Sequence, residues 1–228
     1  KDNDVDLYRS AAFTDPLTGL LNRRAFLENA LSLCARQGER GQPVTMLMLD
    51  LDHFKSINDR FGHAIGDEVL RVFANAARSN MRGSDLVGRL GGEEFAVIVA
   101  EPMQFAARIG ERLRVSFETA GIQIGEHAIG ATLSIGAATS HEPVTDIAAL
   151  IARADAALYR AKHDGRNRLY AADAEPPSQD ARPLAAARNG QAAKPARLSQ
   201  GKGPARRAKS VGLAAIGENA TSRLPSAR

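Results

Sequence analysis

The sequence predicts an α/β two-layer sandwich that occupies residues 15–170. The almost continuous apolar run at residues 44–49 is typical of a central strand that is covered on both faces. Two further apolar runs enclose the glycines and glutamates at residues 91–94, which predicts a β-hairpin. Apolar residues at helical spacing recur between the strands, so the elements follow the order α-β-α-ββ-α-β-α-β, with one hairpin among helical crossovers.

The segment before the central strand contains two predicted elements. Residues 5–13 form a short apolar run, which predicts that residues 1–14 are the end of a helix or linker that enters from upstream. The turn residues of DPLTGL at 15–20 end this run. Asn22 can then cap a helix whose apolar face lies between residues 26 and 34.

After a short polar stretch, the rest of the folded region alternates between the helical and the strand period. We predict, in chain order, a helix over Ile65, Val69, Phe73 and Ala76, the hairpin strands at 86–87 and 95–99, a helix over Phe105, Ile109 and Leu113, a strand at 132–138, a helix from Ile147 to Ala161 closed by Gly165, and a strand at 167–170. Every predicted helix and strand therefore lies before residue 171.

The last segment, residues 171–228, is predicted to be a disordered basic tail. It has 10 Lys and Arg against 4 Asp and Glu, no aromatic residue and no apolar period that could bury surface. Residues 1–170 carry 20 basic and 22 acidic side chains, so the basic pI of 9.5 is a property of the tail. A solvated tail is favoured over contact with lipid or nucleic acid, and the folded region is expected to bind no nucleic acid.

Cellular location is indicated by several missing signals. Cys34 is the only cysteine, which excludes an internal disulfide and a cysteine metal cluster and fits a reducing cytoplasm. No apolar run is as long as a membrane helix, and the first residues do not resemble a signal peptide. Because the chain begins with Lys1 rather than Met, we expect a piece of a longer protein. An upstream sensor domain, and any membrane anchor of the full-length protein, would lie in the missing region.

Four acidic residues mark the place where chemistry is expected. Asp50 and Asp52 leave the end of the central strand, and the hairpin contributes Glu93 and Glu94. If the two strands are neighbours, up to four carboxylates meet at one edge, where they would suit two Mg²⁺ ions and nucleotidyl transfer. Acids near strand ends are otherwise merely solvated, which is the better interpretation for Asp50 alone. Turn geometry does not explain the two adjacent acids Glu93 and Glu94, whose mutual repulsion must be offset by a cation or by water.

The hairpin turn and four other motifs together resemble the GGDEF family. Gly91 and Gly92 are expected to supply positive φ to the turn and to leave room for a flat ligand. The motifs are DPLTGLLNRR at 15–24, DLDHFKSIND at 50–59, FGH with GD at 61–67, GGEEF at 91–95, and ALY, AK and GRN between 157 and 167. The resemblance implies a mostly antiparallel central sheet like that of nucleotidyl cyclases and the polymerase palm.

The resemblance also implies an activity. A member of the family joins two GTP molecules into cyclic di-GMP, with release of two pyrophosphates, as each 3′-hydroxyl attacks the α-phosphorus of the other nucleotide. Each domain holds one GTP, so the active enzyme is expected to be a homodimer with the reaction at the interface. The expected partners are therefore GTP, cyclic di-GMP and a second copy of the chain.

Site residues follow from the matching positions. Asp50, Glu93 and the carbonyl of Leu51 match metal ligands for two Mg²⁺ or Mn²⁺ ions, whereas Glu94 is either a further ligand or a group that helps to deprotonate the attacking hydroxyl. An amide and a carboxylate suit the guanine edge, which favours GTP over ATP. The residues expected to contact substrate are Asn58 and Asp67 at guanine, Leu17 in the base pocket, Lys162 and Arg166 at the triphosphate, Lys55 and the amides near Phe54 as assistants, and Gly91 and Gly92 in the turn.

A second site is expected at Arg82 and Asp85, five residues before the GGEEF motif. This RxxD pair matches the family's inhibitory site, where bound cyclic di-GMP would limit its own synthesis; the alternative is an ordinary surface ion pair. Two other interpretations of the whole chain remain. The first alternative to a cyclase is a non-catalytic cyclic di-GMP receptor that uses only Arg82 and Asp85, and the second is an interaction domain of a longer signalling protein.

Overall fold

The computed structural model describes residues 13–172. The predicted entering helix before residue 13 and the predicted tail after residue 172 lie outside the described residues. The helices are α1 (Arg23–Glu39), α2 (Phe54–Phe61), α3 (His63–Asn80), α4 (Met103–Ala120) and α5 (Ile147–His163). The strands are β1 (Leu21–Asn22), β2 (Val44–Leu51), β3 (Leu86–Arg89), β4 (Glu94–Val99), β5 (Gln123–Ile124), β6 (His127–Ala128), β7 (Leu133–Ser140) and β8 (Leu169–Ala171).

Six strands form the main sheet in the order β1-β3-β4-β2-β7-β8. The central strand β2 pairs antiparallel with β4 and β7, and β3 pairs antiparallel with β4 as the predicted hairpin. The outer pairs, β1 with β3 and β7 with β8, are parallel. The mixed α/β class and the mostly antiparallel sheet are therefore confirmed. Strands β5 and β6 form a separate two-stranded ribbon.

Helices cover both faces of the sheet, so the structure has three layers where the sequence analysis predicted two. Alternate residues of β2 separate the faces: Leu47 and Leu49 pack with α3 and α4, whereas Met46 and Met48 pack with α1 and α5. All eight residues of β2 are buried. A second layer of helices is needed because a strand that is apolar on both faces must be covered on both.

Local signals explain where helix α1 begins and where helix α5 ends. The side-chain oxygen of Asn22 accepts the backbone N–H three residues later at 3.0 Å, which is the predicted cap of α1. Gly165 has a φ of 108°, and the N–H of Arg166 donates to the carbonyl of Ala161 at 2.9 Å, which closes α5. Strand β8 begins at Leu169, later than predicted, because the two residues after Gly165 adopt left-handed backbone angles.

Helix α2 is missing from the sequence prediction. Phe54 and Ile57 are the buried residues among its eight, so the apolar period is too short to be recognised. His53 precedes the helix with a φ of 56° and no side-chain cap. The two-residue strands β1, β5 and β6 were missed for the same reason of length. Between residues 13 and 172, no helix combines the length and the apolar composition needed to cross a lipid bilayer.

Candidate active site

A cavity of about 270 Å³ lies where the central strand ends. Four segments surround it: the end of β2, the hairpin turn, the start of α2 and the end of α5 with the turn that follows. Seven residues predicted for the site line this cavity: Asp50, Leu51, Phe54, Lys55, Glu93, Lys162 and Arg166. Acidic side chains from β2 and the hairpin therefore face basic side chains from the end of α5.

Asp50 is buried, with 7% of its surface exposed, and its Oδ2 lies 2.8 Å from the Nζ of Lys162. Burial raises the pKa of Asp50, the Lys162 ammonium lowers it, and the charges of Glu93 and Glu94 raise it again. The net result is a pKa above the ordinary value of an aspartate. This carboxylate therefore needs a nearby positive charge, and Lys162 supplies one.

Asp52 is held by neutral donors at the start of β7 and before β8. Its Oδ1 accepts the hydroxyl of Ser134 at 2.7 Å, and its Oδ2 accepts the hydroxyl of Thr132 at 2.8 Å and the N–H of Asn167 at 3.0 Å. Among residues 13–172, no three carboxylate, imidazole or thiol groups stand together as in a preformed metal cluster. The predicted convergence at one edge therefore holds for Asp50, Asp52 and Glu93, which all line the cavity, but Asp52 is engaged by the sheet's own hydroxyl and amide groups.

Glu93 and Glu94 reach this edge because β4 pairs with β2. In that register Glu94 is the partner of Asp50, and the N–H of Leu51 donates to the carbonyl of Glu93 at 3.2 Å. Glu93 is half-buried and lines the cavity, whereas Glu94 is exposed. The predicted adjacency of the two strands is confirmed, and it brings the hairpin acids beside the end of β2.

Gly91 and Gly92 lack the positive φ that was predicted for them. Four residues connect β3 to β4, and a loop of this length does not need the left-handed angles of a two-residue turn. A Cβ on Gly91 would lie 2.8 Å from a carboxylate oxygen of Glu94, so glycine lets this side chain fold over the turn. A Cβ on Gly92 would meet no atom within 4 Å, so the space beside it is open.

Arg89 ties the hairpin turn to the DPLTGL segment, a link that the sequence analysis missed. Its Nη2 donates to the carbonyl of Gly92 at 2.8 Å, and its Nη1 lies 3.1 and 3.2 Å from the two carboxylate oxygens of Asp15. Asp15 also accepts the N–H and the hydroxyl of Thr18, at 2.9 and 2.6 Å. Burial raises the pKa of Asp15, but the bonds from Thr18 and Arg89 outweigh it and hold the pKa below its ordinary value of 3.8.

The basic side of the cavity combines side chains with backbone groups. Lys162 lies in the last turn of α5, and Arg166 lies in the turn that follows. Across the cavity, Phe54 and Lys55 begin α2, whose first N–H groups have no partners within the helix. Such N–H groups and the positive end of the helix dipole favour an anion.

Asn58 and Asp67 lie outside the cavity, on the neighbouring helices α2 and α3. A Cβ on Gly66 would stand 1.9 Å from the Oδ1 of Asn58, so glycine at this position lets the amide pack against the start of α3. The structure thus brings Asn58 to the residue that precedes Asp67, while Phe54 touches the same spot from α2. Leu17 is half-buried and packs against the core.

The predicted inhibitory residues lie in the turn before β3. The N–H of Arg82 donates to the Oδ2 of Asp85 at 2.9 Å, and the N–H of Asp85 donates to the carbonyl of Arg82 at 3.0 Å. The guanidinium of Arg82 pairs with Glu101 at 3.0 Å, and 71% of its side chain is exposed. The two residues are therefore close together, but the surface ion pair of Arg82 is with Glu101.

Comparison with known proteins gives a family. A profile described as "Diguanylate cyclase, GGDEF domain" matches residues 12–168. The response regulator PleD of Caulobacter vibrioides is 47% identical over 169 residues, and the diguanylate cyclase DgcP of Pseudomonas aeruginosa is 41% identical over 165 residues. Each alignment covers 72% of this chain, which spans 37% of the length of PleD and 24% of the length of DgcP.

Solved structures with the same fold carry related descriptions. The coiled coil and GGDEF domain of DgcB from Caulobacter crescentus, in complex with c-di-GMP, gives a TM-score of 0.69 at 34% identity, over 75% of this chain and 91% of that chain. The active GGEEF domain of a diguanylate cyclase from Vibrio cholerae gives a TM-score of 0.63 at 35% identity, over 67% and 97%. With a family profile that matches more than half of its residues, the chain belongs to the GGDEF family.

Proposed function

We propose that this chain is a diguanylate cyclase, which joins two GTP molecules into cyclic di-GMP and releases two pyrophosphates. One observation carries the proposal: a cavity of about 270 Å³ is lined by the acids Asp50 and Glu93 and by the cations Lys162 and Arg166. A site for a nucleoside triphosphate needs acidic side chains that hold metal ions and basic side chains that hold the phosphates. Relatives that include DgcP are named diguanylate cyclases, which supports the same activity here.

The donor atoms at the acidic side fit Mg²⁺ or Mn²⁺. Asp50 and Glu93 offer carboxylate oxygens and Leu51 offers a backbone carbonyl, which are the ligands that such hard cations prefer. The 2.8 Å pair of Asp50 with Lys162 supports this assignment, because the buried carboxylate already attracts a positive charge. We expect two ions in each active site, where they would neutralise triphosphate charge and align the attacking oxygen with phosphorus.

The basic side is assigned to the triphosphate. Lys162 and Arg166 supply charge, and Lys55 adds charge beside the N–H groups of the first turn of α2, near Phe54. To bind a phosphate oxygen, Lys162 leaves Asp50. The lysine is therefore expected to change partner when nucleotide binds.

Guanine is assigned to the neighbouring helices. Asn58 and Asp67 together offer donors and acceptors that match the guanine edge, and Asp67 accepts from a pair of N–H donors that adenine lacks. Leu17 is proposed to line the base pocket. The open space beside Gly92 leaves the hairpin backbone accessible to the nucleotide, with Gly91 next to it.

The reaction needs two copies of the chain, because one cavity serves one GTP. The 3′-hydroxyl of each nucleotide forms a bond to the α-phosphorus of the other, the bond to pyrophosphate breaks, and the hydroxyl proton is removed. Glu94 is exposed and is the register partner of Asp50, and we expect it either to help hold metal or to take that proton. Both roles stay open, whereas Glu93 lines the cavity and is assigned to metal.

Product inhibition is proposed at Arg82 and Asp85. Arginine can bind guanine O6 and N7 or a phosphate, and aspartate can accept the guanine N1 and N2 protons. The exposed guanidinium of Arg82 is held by a surface pair with Glu101, and such pairs are weak enough to be exchanged for a ligand. DgcB, a structural relative, is described in complex with c-di-GMP, which supports the ability of the fold to bind the product.

We assign regulation to a region of the full-length protein that lies outside this chain. The chain spans 37% of PleD, which is named a response regulator. We infer that a sensor region of the full-length protein brings two cyclase domains together, and that the domains work in the cytoplasm, where GTP is available.

The direct test is incubation of the chain with GTP and Mg²⁺, followed by chromatographic detection of cyclic di-GMP. We expect product from the wild type and none from Glu93→Ala, while Arg82→Ala should prolong the linear phase of the reaction and Arg71→Ala, another exposed arginine, should not. A concentrated sample that binds cyclic di-GMP but makes none would support the receptor alternative. A sample that binds neither nucleotide would support the interaction-domain alternative.

A further inference from the structure

The turn between α5 and β8 is conformationally strained, and it carries Arg166. Gly165, Arg166 and Asn167 have φ values of 108°, 60° and 45°. Left-handed angles are unfavourable for residues with a Cβ, and two such residues in succession are uncommon. Backbone of this kind persists where surrounding contacts impose it. The contacts that hold the turn therefore decide where the Arg166 guanidinium stands.

Asn167 is held at three points. Its backbone N–H donates to Asp52 at 3.0 Å, its amide nitrogen donates to Glu118 at 2.7 Å, and its amide oxygen accepts from Arg114 at 2.7 Å. Arg114 and Glu118 also pair with each other on α4, at 2.9 Å. The turn is thus fixed from the sheet on one side and from a helix on the other.

Asp52 connects this turn to the acidic side of the cavity. It follows Leu51 and is 4% exposed, and its two other partners, Ser134 and Thr132, hold its carboxylate against the sheet. One side chain therefore joins the end of β2, which carries the proposed metal ligands, to the turn that carries Arg166. The connection is the second between the acidic and the basic residues of the cavity, beside the ion pair of Asp50 with Lys162.

We propose that these contacts position Arg166 for the triphosphate of GTP. The positioning residues, which we name the turn clamp, are Asp52, Arg114, Glu118 and Asn167. The inference rests on the proposed function, because it assigns a phosphate to Arg166. When a member of the clamp is removed, the turn relaxes toward ordinary backbone angles and the guanidinium moves away from the phosphate. Asn58 and Asp67, which are proposed to bind guanine, lie on α2 and α3 outside this turn, so they are expected to keep their places.

Glu111 and Glu118 form a matched pair for a test. Both contact Arg114 at 2.9 Å, and their side chains are 44% and 41% exposed. Glu118 also accepts from Asn167, so it reaches the turn. A merely structural role would affect every nucleotide equally, whereas a positioning role affects nucleotides that carry β- and γ-phosphates.

The experiment measures the affinity of the full chain for 3′-deoxy-GTP and for GMP by calorimetry in the presence of Mg²⁺. The deoxy nucleotide lacks the attacking hydroxyl, so it cannot be converted. We expect Glu118→Ala and Asp52→Asn to weaken 3′-deoxy-GTP binding about fivefold to tenfold and GMP binding by less than about twofold. Glu111→Ala should leave the ratio of the two affinities as in the wild type.

Four results would count against these assignments. The clamp is overturned by equal effects of Glu111→Ala and Glu118→Ala, by equal losses for both nucleotides, or by an unchanged ratio in Glu118→Ala, which is a surface variant expected to fold. A wild-type chain that binds 3′-deoxy-GTP no better than GMP would instead contradict the proposed function, because the basic side of the cavity would then bind no triphosphate.

Discussion

Asp50 and Asp52 stand two residues apart at the end of one strand, and their surroundings are opposite. Asp52 accepts from two hydroxyls and one backbone N–H. Asp50 is almost equally buried, but it faces the partly exposed side chain of Lys162 and two other acids, and its pKa is raised. Neutral donors thus fix a carboxylate as part of the fold, whereas burial beside a partly exposed cation keeps a carboxylate ready for a ligand.

The largest expected effect belongs to Asp50→Asn. Turnover should fall by about a thousandfold or more, because a proposed metal ligand and its charge are lost. In EDTA at pH 7 the same variant should melt about 2 °C higher, because a buried charge has been removed. Since the pKa of Asp50 is raised, its cost to stability is present above that pKa and disappears as the pH falls through it. Scanning calorimetry of the wild type and the variant at pH 7 and in acid measures this cost. A lower melting temperature of Asp50→Asn than of the wild type at pH 7 would show that the charge of Asp50 does not destabilise the fold.

Asp52→Asn should change stability in the opposite direction. The amide replaces an oxygen that accepts hydrogen bonds, and its own N–H groups then face other donors. We expect a loss of about 2 kcal/mol in the free energy of unfolding, measured by urea denaturation. Asp59→Asn, on the exposed side of α2, is the control and should change little. Equal signs for Asp50→Asn and Asp52→Asn would remove the distinction between the two carboxylates.

Asp15 resembles Asp52, because several hydrogen-bond donors hold its carboxylate. Its pKa lies below 3.8, so the ionised group stabilises the fold above its unfolded pKa, and this contribution is lost as the pH falls through the lowered folded pKa. Asp15→Asn should therefore cost about 1 kcal/mol of unfolding free energy at neutral pH and progressively less below about pH 4. Urea denaturation over this pH range measures the difference. A constant loss down to the lowest pH would show that ionisation of Asp15 contributes nothing.

The smallest expected effect is at the surface pair of Arg82 with Glu101. Glu101→Gln releases the guanidinium, so cyclic di-GMP should inhibit about twofold more strongly, as the energy of an exposed ion pair allows. Inhibition constants from initial rates measure the change. Glu68→Gln, which breaks the exposed pair with Arg71, is the matched control. Weaker inhibition in Glu101→Gln would mean that Glu101 helps to bind the product.

The parts of the fold that the sequence predicts are those with a long or clear period. Strand β2, the hairpin and helices α1, α3, α4 and α5 all bury regular apolar positions. The number of layers was mispredicted, although the apolar run of β2 already indicates that helices must cover both faces of the sheet. Helix α2 was missed because it has two buried residues and no side-chain cap, so its start depends on the backbone at His53.

In the site, too, the residues that the sequence predicts are those with a local signal. Motif positions predict Asp50, Glu93, Lys162 and Arg166, and the fold places all four around one cavity. The turn clamp has no local signal, because it joins residues that are as much as 115 positions apart. The angles of the glycine turn were also mispredicted, since loop length, which decides the turn type, depends on where β3 and β4 stop pairing.

Gly66 shows how a residue without a side chain can determine where a neighbouring side chain lies. A methyl group there would overlap the Asn58 side chain at 1.9 Å, so the simplest mutation, to alanine, must displace either this amide or the first turn of α3. A residue with no side chain thus holds in place the amide that is proposed to contact guanine. We expect Gly66→Ala to alter the preference between GTP and ATP, although it exchanges no hydrogen-bonding group.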